Sequence, residues 1–232
     1  MVTKSILAVT MAVGGMLAAA ALANATAYTF TTIDGPGAFF TTASGINDAG
    51  QIVGTFRDST GSIFGFLDTG GSFTIVDVSG GRNTQPFGIN NAGQIVGQFE
   101  DSTAIHGFLD SGGTFTTLDP PGSLFTVASG INDAGQIVGH FQSGIFSGGG
   151  FLYSGGTFTT FSVPGAVNAV GFDSTEPFGI NNAGQIVGQF ADSTAIHGFL
   201  ATPVALVAEP SSLALLGVGV IGLGILRRRQ RA

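Results

Sequence analysis

One short phrase recurs four times in this chain and limits what it can fold into. Gly-Ile-Asn begins at Gly45, Gly88, Gly130 and Gly179, and [Asp/Asn]-Ala-Gly-Gln-Ile-Val-Gly follows each time, at spacings of 43, 42 and 49 residues. Nineteen or twenty residues after each start comes Gly-Phe-Leu, at Gly65, Gly107, Gly150 and Gly198. A fixed period of this size marks supersecondary units that bury their apolar faces against one another.

Each period holds about four strand-sized pieces. In the third they are TFTTLD, FTVASGI, QIVGHF and GGFLY. The Asn-[Asp/Asn]-Ala-Gly stretches and the Ser-Gly-Gly stretches read as tight turns between them. Four short antiparallel strands per unit is the content of one propeller blade. The composition agrees: 39 glycines and 21 phenylalanines in a chain that is 44% hydrophobic and only 9% charged suit short strands and tight turns, not disorder.

The expected fold class is therefore all-β, a propeller-like repeat domain over residues 28–202. The chain has a TFTT-type piece ahead of its first unit and lacks one after its last. This predicts four blades closed into a ring, with Phe30–Asp34 pairing beside His197–Leu200 and removing the sheet edges. Another β-repeat arrangement and a sandwich are the rival architectures. The units also alternate: ASGINDAGQIVG in the first and third, PFGINNAGQIVGQF in the second and fourth, which points to duplication of a two-unit module.

Charge and cysteine content exclude several classes. With no cysteine there is no disulfide framework, thiolate nucleophile or zinc–cysteine site. Between Tyr28 and Leu206 there are thirteen acids and two basic residues, a net of −11. Such a surface has nothing with which to neutralise phosphates, so nucleic acid is not an expected partner.

Both ends read as addresses. Residues 1–27 carry one charge at Lys4, an apolar run, and small-residue sites ending at Ala25 and Ala27. This is the layout of a secretory signal cut after one of those two residues, and it implies the general secretion machinery as a partner. At the other end, a linker over 203–210 leads to an apolar stretch and an arginine cluster over 211–232. The apolar core of that stretch is short for a bilayer, and snorkelling arginines make a transmembrane helix feasible. The arginines would hold that end on the cytoplasmic side, leaving the repeats outside the inner membrane.

This tail resembles the PEP-CTERM sorting signal of Gram-negative bacteria. Ala208, Glu209 and Pro210 stand at the sorting motif, with alanine where the family has its first proline, and Arg227, Arg228 and Arg229 form the basic tail. The resemblance implies an exosortase-type processing enzyme as partner. It also implies inner-membrane anchoring before processing, release to the cell surface or matrix after it, and an association with exopolysaccharide and biofilm. The repeats, in turn, resemble the HAF repeat family of probable extracellular bacterial proteins, whose H-A-F-L-type strand appears here as HGFL at His106 and His197. That resemblance implies an exported β-repeat domain.

For chemistry the sequence offers little. Of the three histidines, His106 and His197 share one repeat position, which favours a structural role. No nucleophile elbow, HExxH, or phosphate-binding glycine loop occurs. The Asn-[Asp/Asn]-Ala-Gly turns lack the spacing of known calcium loops. Asp-Ser-Thr at Asp58, Asp101, Asp173 and Asp192 reads as a polar turn, with a glycan contact as the alternative. No catalytic, cofactor-binding or metal-ligating residue is assigned, and no cofactor is expected. The expected function is that of an exported, non-enzymatic surface or matrix protein. The alternatives are a carbohydrate-active enzyme on a propeller scaffold and a membrane-retained, calcium-stabilised adhesion module.

Overall fold

The computed structural model describes residues 29–144, 147–167 and 174–204. The signal segment, Ala25, Ala27, and everything from the sorting motif through the basic tail lie outside them. Among the described residues no helix is long and apolar enough to cross a membrane.

The described chain is all-β. The first unit is the antiparallel sheet β1 (Ala38–Ile46), β2 (Gln51–Asp58), β3 (Ile63–Thr69) and β4 (Ser72–Val76), paired in chain order. The second is β5 (Arg82–Ile89), β6 (Ile95–Glu100), β7 (Ile105–Ser111) and β8 (Thr114–Leu118), and the third is β9 (Phe125–Ile131), β10 (Ile137–Gly144), β11 (Ser147–Ser154) and β12 (Thr157–Phe161). A single parallel pair, Ile105 with Phe125, joins these two along β7 and β9. The fourth unit has three strands, β13 (Thr175–Ile180), β14 (Ile186–Ala191) and β15 (Ile196–Ala201).

Two local devices build the units, the first in all four and the second in the first three. The glycine of Gln-Ile-Val-Gly sits opposite a bulge in the Gly-Ile-Asn strand, where the pairing skips one residue, for example between Pro86 and Gly88. The bulge pushes backbone toward the glycine: a Cβ on Gly97 would lie 2.1 Å from the Gln85 carbonyl oxygen. The second device is the two-glycine turn. Gly70 and Gly71 have φ of 62° and 91°, as a type I′ hairpin requires, and Gly112–Gly113 and Gly155–Gly156 repeat the pattern.

That turn corrects the expected unit boundaries. It folds each TFTT-type piece straight back onto the Gly-Phe-Leu strand before it, pairing Gly65 with Val76 and Gly107 with Leu118. The TFTT strand therefore ends its own sheet and does not open the next. It also bears on the expected closure. Residues 29–34 form no strand, and Phe30 is exposed. Among the described residues the fourth sheet has three strands, and the sheets are not closed into a ring.

The core lies between successive sheets. One cluster joins Val53 and Val76 of the first unit to Ile89, Ile95, Phe99 and Phe108 of the second. Another joins Val96 and Leu118 of the second to Ala128, Ile137 and Phe151 of the third. Phe66, Phe108 and Phe151, the phenylalanines of the first three Gly-Phe-Leu strands, are fully buried. Burial of one such ring is worth about 2–3 kcal/mol.

Candidate functional site

The four Asn-[Asp/Asn]-Ala-Gly turns converge. Ile46, Ile89, Ile131 and Ile180, with the two residues after each, line one open hollow of about 280 Å³. In each turn the asparagine closes its own loop. The Oδ1 of Asn90 accepts from the backbone N–H groups of Ala92 at 3.1 Å and Gln94 at 2.9 Å, and its Nδ2 donates to Gln94 Oε1 at 2.8 Å. The second Nδ2 hydrogen reaches the next unit. Asn47 donates to the Asn90 carbonyl at 3.1 Å, Asn90 to that of Asn132 at 3.1 Å, and Asn132 to that of Asn181 at 3.0 Å.

A second ladder runs one residue further on. The backbone N–H of Asp48 donates to Asn91 Oδ1, that of Asn91 to Asp133 Oδ1, and that of Asp133 to Asn182 Oδ1, each at 2.9 Å. The Asn91 amide also donates to both neighbouring carboxylates, Asp48 at 2.7 Å and Asp133 at 3.1 Å, and the Asn182 amide to Asp133 at 2.8 Å. These bonds, with the backbone N–H of Asn91 foremost, hold the Asp133 carboxyl below its usual range. The Asp–Asn–Asp–Asn alternation thus puts an amide donor between carboxylates that would otherwise repel. The alternation of GIND with GINN carried this signal, but sequence reasoning took it only as a trace of duplication.

The Asp-Ser-Thr segments form side-chain-capped turns. Asp101 Oδ1 accepts from the N–H and hydroxyl of Thr103, both at 2.6 Å, and from Ala104 N–H at 3.0 Å. Asp192 repeats this with Thr194 and Ala195, and Asp58 caps Thr60 and Ser62. The threonine bonds first, then the backbone N–H groups, push the Asp101 and Asp192 carboxyls far below the ordinary range. Asp173 lies outside the described residues.

Two of the histidines, His106 and His197, sit beside these turns. The His106 ring lies between two carboxylates, with Nδ1 2.6 Å from Asp119 and Nε2 3.3 Å from Asp101, and it stacks on Phe99. Burial is the largest influence and opposes charging, but Asp119 and Asp101 together outweigh it and raise the pKa. His197 holds the matching place against Asp192 at 3.4 Å and Phe190, with more of its side chain exposed, 42% against 18%. His140 occupies a different strand position, against Phe125, where burial lowers its pKa despite the field of Glu176. Among the described residues no group of three His, Asp or Glu side chains could hold a metal ion.

Residues 207–230 match the PEP-CTERM protein-sorting motif, a span that takes in Ala208, Glu209, Pro210 and Arg227–Arg229. The motif implies export, anchorage at the membrane before processing, and an exosortase as the processing partner. No curated protein matches the chain. Thirteen chains of solved structures match, among them a streptogramin B lyase at 15% identity and a TM-score of 0.39. The aligned part covers 75% of this chain and 57% of that one, so this chain spans little more than half the length of that structure.

Proposed function

We propose that the protein is a non-enzymatic repeat module of the cell surface or extracellular matrix, delivered by exosortase processing of its tail and associated there with exopolysaccharide. The sorting motif at 207–230 carries the reading. The repeat domain, read as HAF-type units on a propeller-like scaffold, is the cargo. Two features of the structure favour binding over catalysis. Asp101 and Asp192, each beside a histidine Nε2, are engaged in capping turns that hold them ionised, which leaves them poor proton donors or acceptors. The hollow shared by the four turns offers amides and carboxylates of the kind that hydrogen-bond hydroxyl-rich polymers.

The test is the intact mass of the protein recovered separately from the envelope and the medium of its native host. A surface or medium form lacking the residues after about Ala208 is the expected result; the cut position follows from the motif span. A membrane-bound form that keeps its full tail would overturn the processing step. Cosedimentation with the host's own exopolysaccharide tests the ligand class, and no retention at any salt concentration would remove it.

A further inference from the structure

The repeat junctions have a direction, and the array stops with both kinds of face uncovered. At each junction the turn-closing asparagine amide and the next backbone N–H of one unit donate and the following unit's turn accepts, while the Asn91 and Asn182 amides also donate back to Asp48 and Asp133. The fourth unit therefore ends the array with donors, Asn181 Nδ2 and Asn182 N–H, while the first begins it with acceptors, the Asn47 carbonyl and Asp48 Oδ1. Among the described residues Asn181 Nδ2 donates only to its own Gln185 Oε1, at 2.8 Å.

Packing shows the same polarity. Val53, Val96 and Val138 are fully buried, while Val187, at the same repeat position, is 50% exposed. Ile89 is 8% exposed, while Ile46, its counterpart in the first unit, is 67% exposed. The glycines stack from unit to unit: a Cβ on Gly45 would lie 3.3 Å from Gly88 Cα, and one on Gly130 would lie 3.1 Å from Gly179 Cα. Gly179 itself would meet only its own unit's Val187. The fourth unit thus keeps a glycine suited to a close backbone neighbour that the described residues do not supply.

We infer that the fourth-unit face of one copy docks on the first-unit face of a second copy, head to tail, as a further repeat junction. The occupant follows from the sequence. Three junctions already show what this face accepts, and the chain has one uncovered surface of that kind, its own first unit. Among the described residues both faces are exposed in the same molecule, Ile46 at 67% and Val187 at 50%, so the described chain does not bury them against each other. The second copy also brings the strand that the fourth sheet lacks. Its residues 29–33 read TFTTI, against TFTTL in β8 and TFTTF in β12, and β15 has an edge free for them among the described strands. Asp34, next in line, would then stand toward His197 as Asp119 stands toward His106. The contact is heterologous, because donor and acceptor faces differ.

The absence of native cysteine makes a clean test possible. Ile46→Cys and Val187→Cys are made separately in the full chain, held in mild detergent, and treated with a short bismaleimide. Their interior counterparts, Ile89 and Val53, share one core cluster. The expected result is a product of twice the chain mass when the two variants are mixed, and none from either alone. Self-linking of a single variant would overturn the head-to-tail geometry. Both substitutions are also placed in one chain: linking within that chain would mean that the array closes on itself, and no linking there or in the mixture would mean that these faces do not meet; each overturns the inference. Val187→Glu provides a second readout. The residue is half exposed, so the chain should keep its far-UV circular dichroism yet fall to the mass of one chain in light scattering. Retention of the wild-type multiple would count against the interface.

Discussion

Asn90 is the sharpest place to perturb the fold, because one buried amide serves two units. It is 3% exposed and makes four hydrogen bonds, two as acceptor within its turn, one as donor to Gln94, and one as donor to the carbonyl of Asn132. Each is worth about 1 kcal/mol net, and a buried N–H left without a partner costs about 1–3 kcal/mol, so Asn90→Ala should destabilise by about 3–5 kcal/mol. Asn90→Asp separates the two roles. It keeps both acceptor bonds but turns a carboxylate oxygen toward the Asn132 carbonyl and Gln94 Oε1, which are themselves acceptors. Only the protonated acid can donate there, so its pKa in the folded protein must rise above the unfolded value. Its stability should therefore be nearest wild type in acid and fall as pH rises through the folded pKa. Urea melts followed by far-UV circular dichroism at several pH values give both numbers. An Asn90→Asp protein as stable as wild type at neutral pH would refute the inter-unit bond, and an Asn90→Ala cost below about 1 kcal/mol would refute the accounting.

Three further outcomes are expected. Gly139→Ala places a Cβ 1.9 Å from the Val127 carbonyl oxygen and 2.8 Å from the Phe151 ring, and should cost at least about 1–3 kcal/mol in the same melts by forcing β9 and β10 apart. Phe108→Ala, which empties a fully buried site, should cost about 3–5 kcal/mol; Phe199→Ala, at the same repeat position but only part-buried, should cost less in dilute protein. The raised pKa of His106 means that its contribution is complete below the unfolded value of 6.5 and is lost as pH climbs through the folded one. His140, whose pKa is lowered, contributes above 6.5 and loses that contribution as pH falls through its folded value. His106→Gln should therefore flatten only the alkaline limb of a melting-temperature profile, and loss of the acid limb instead would contradict the Asp119 pairing.

What the sequence made legible was whatever is written locally and repeated. Strand pieces, turn positions and the all-β class follow from Gln-Ile-Val-Gly, Gly-Phe-Leu and paired glycines. The tail was legible because processing enzymes read linear signals. The allotment of TFTT strands was missed although its cause was visible: two consecutive glycines permit a type I′ turn, and such a hairpin pairs with its nearest neighbour. The His106–Asp119 pair was not legible, because the residues lie on β7 and just after β8, and only the hairpin register brings them to 2.6 Å. The Asp–Asn ladder was within reach, since alternation at a single repeat position invites the question of which side chain donates to which.

The second and fourth units pose the same problem in its purest form. Over the stretch from Pro86 to Leu109 and its copy from Pro177 to Leu200, only Glu100 and Ala191 differ. Yet Val96 is fully buried and Val187 is 50% exposed, and Gly107 is buried while Gly198 is exposed. Local propensity cannot account for this, because the local sequence is the same. The difference comes from what stands on the far side, a third unit in one case and, among the described residues, open surface in the other. In a stacked array each unit's stability is an intrinsic part plus its interfaces, and a terminal unit is normally relieved of its missing interface by a polar cap. The fourth unit has kept the apolar residues of an interior one instead. Its outer face therefore adds an exposed apolar surface to a protein whose sorting motif implies export, and such surfaces invite association. Association with a matching face, or burial by some other partner after export, is what resolves that conflict, and the crosslinking of Ile46→Cys to Val187→Cys decides which of the two it is.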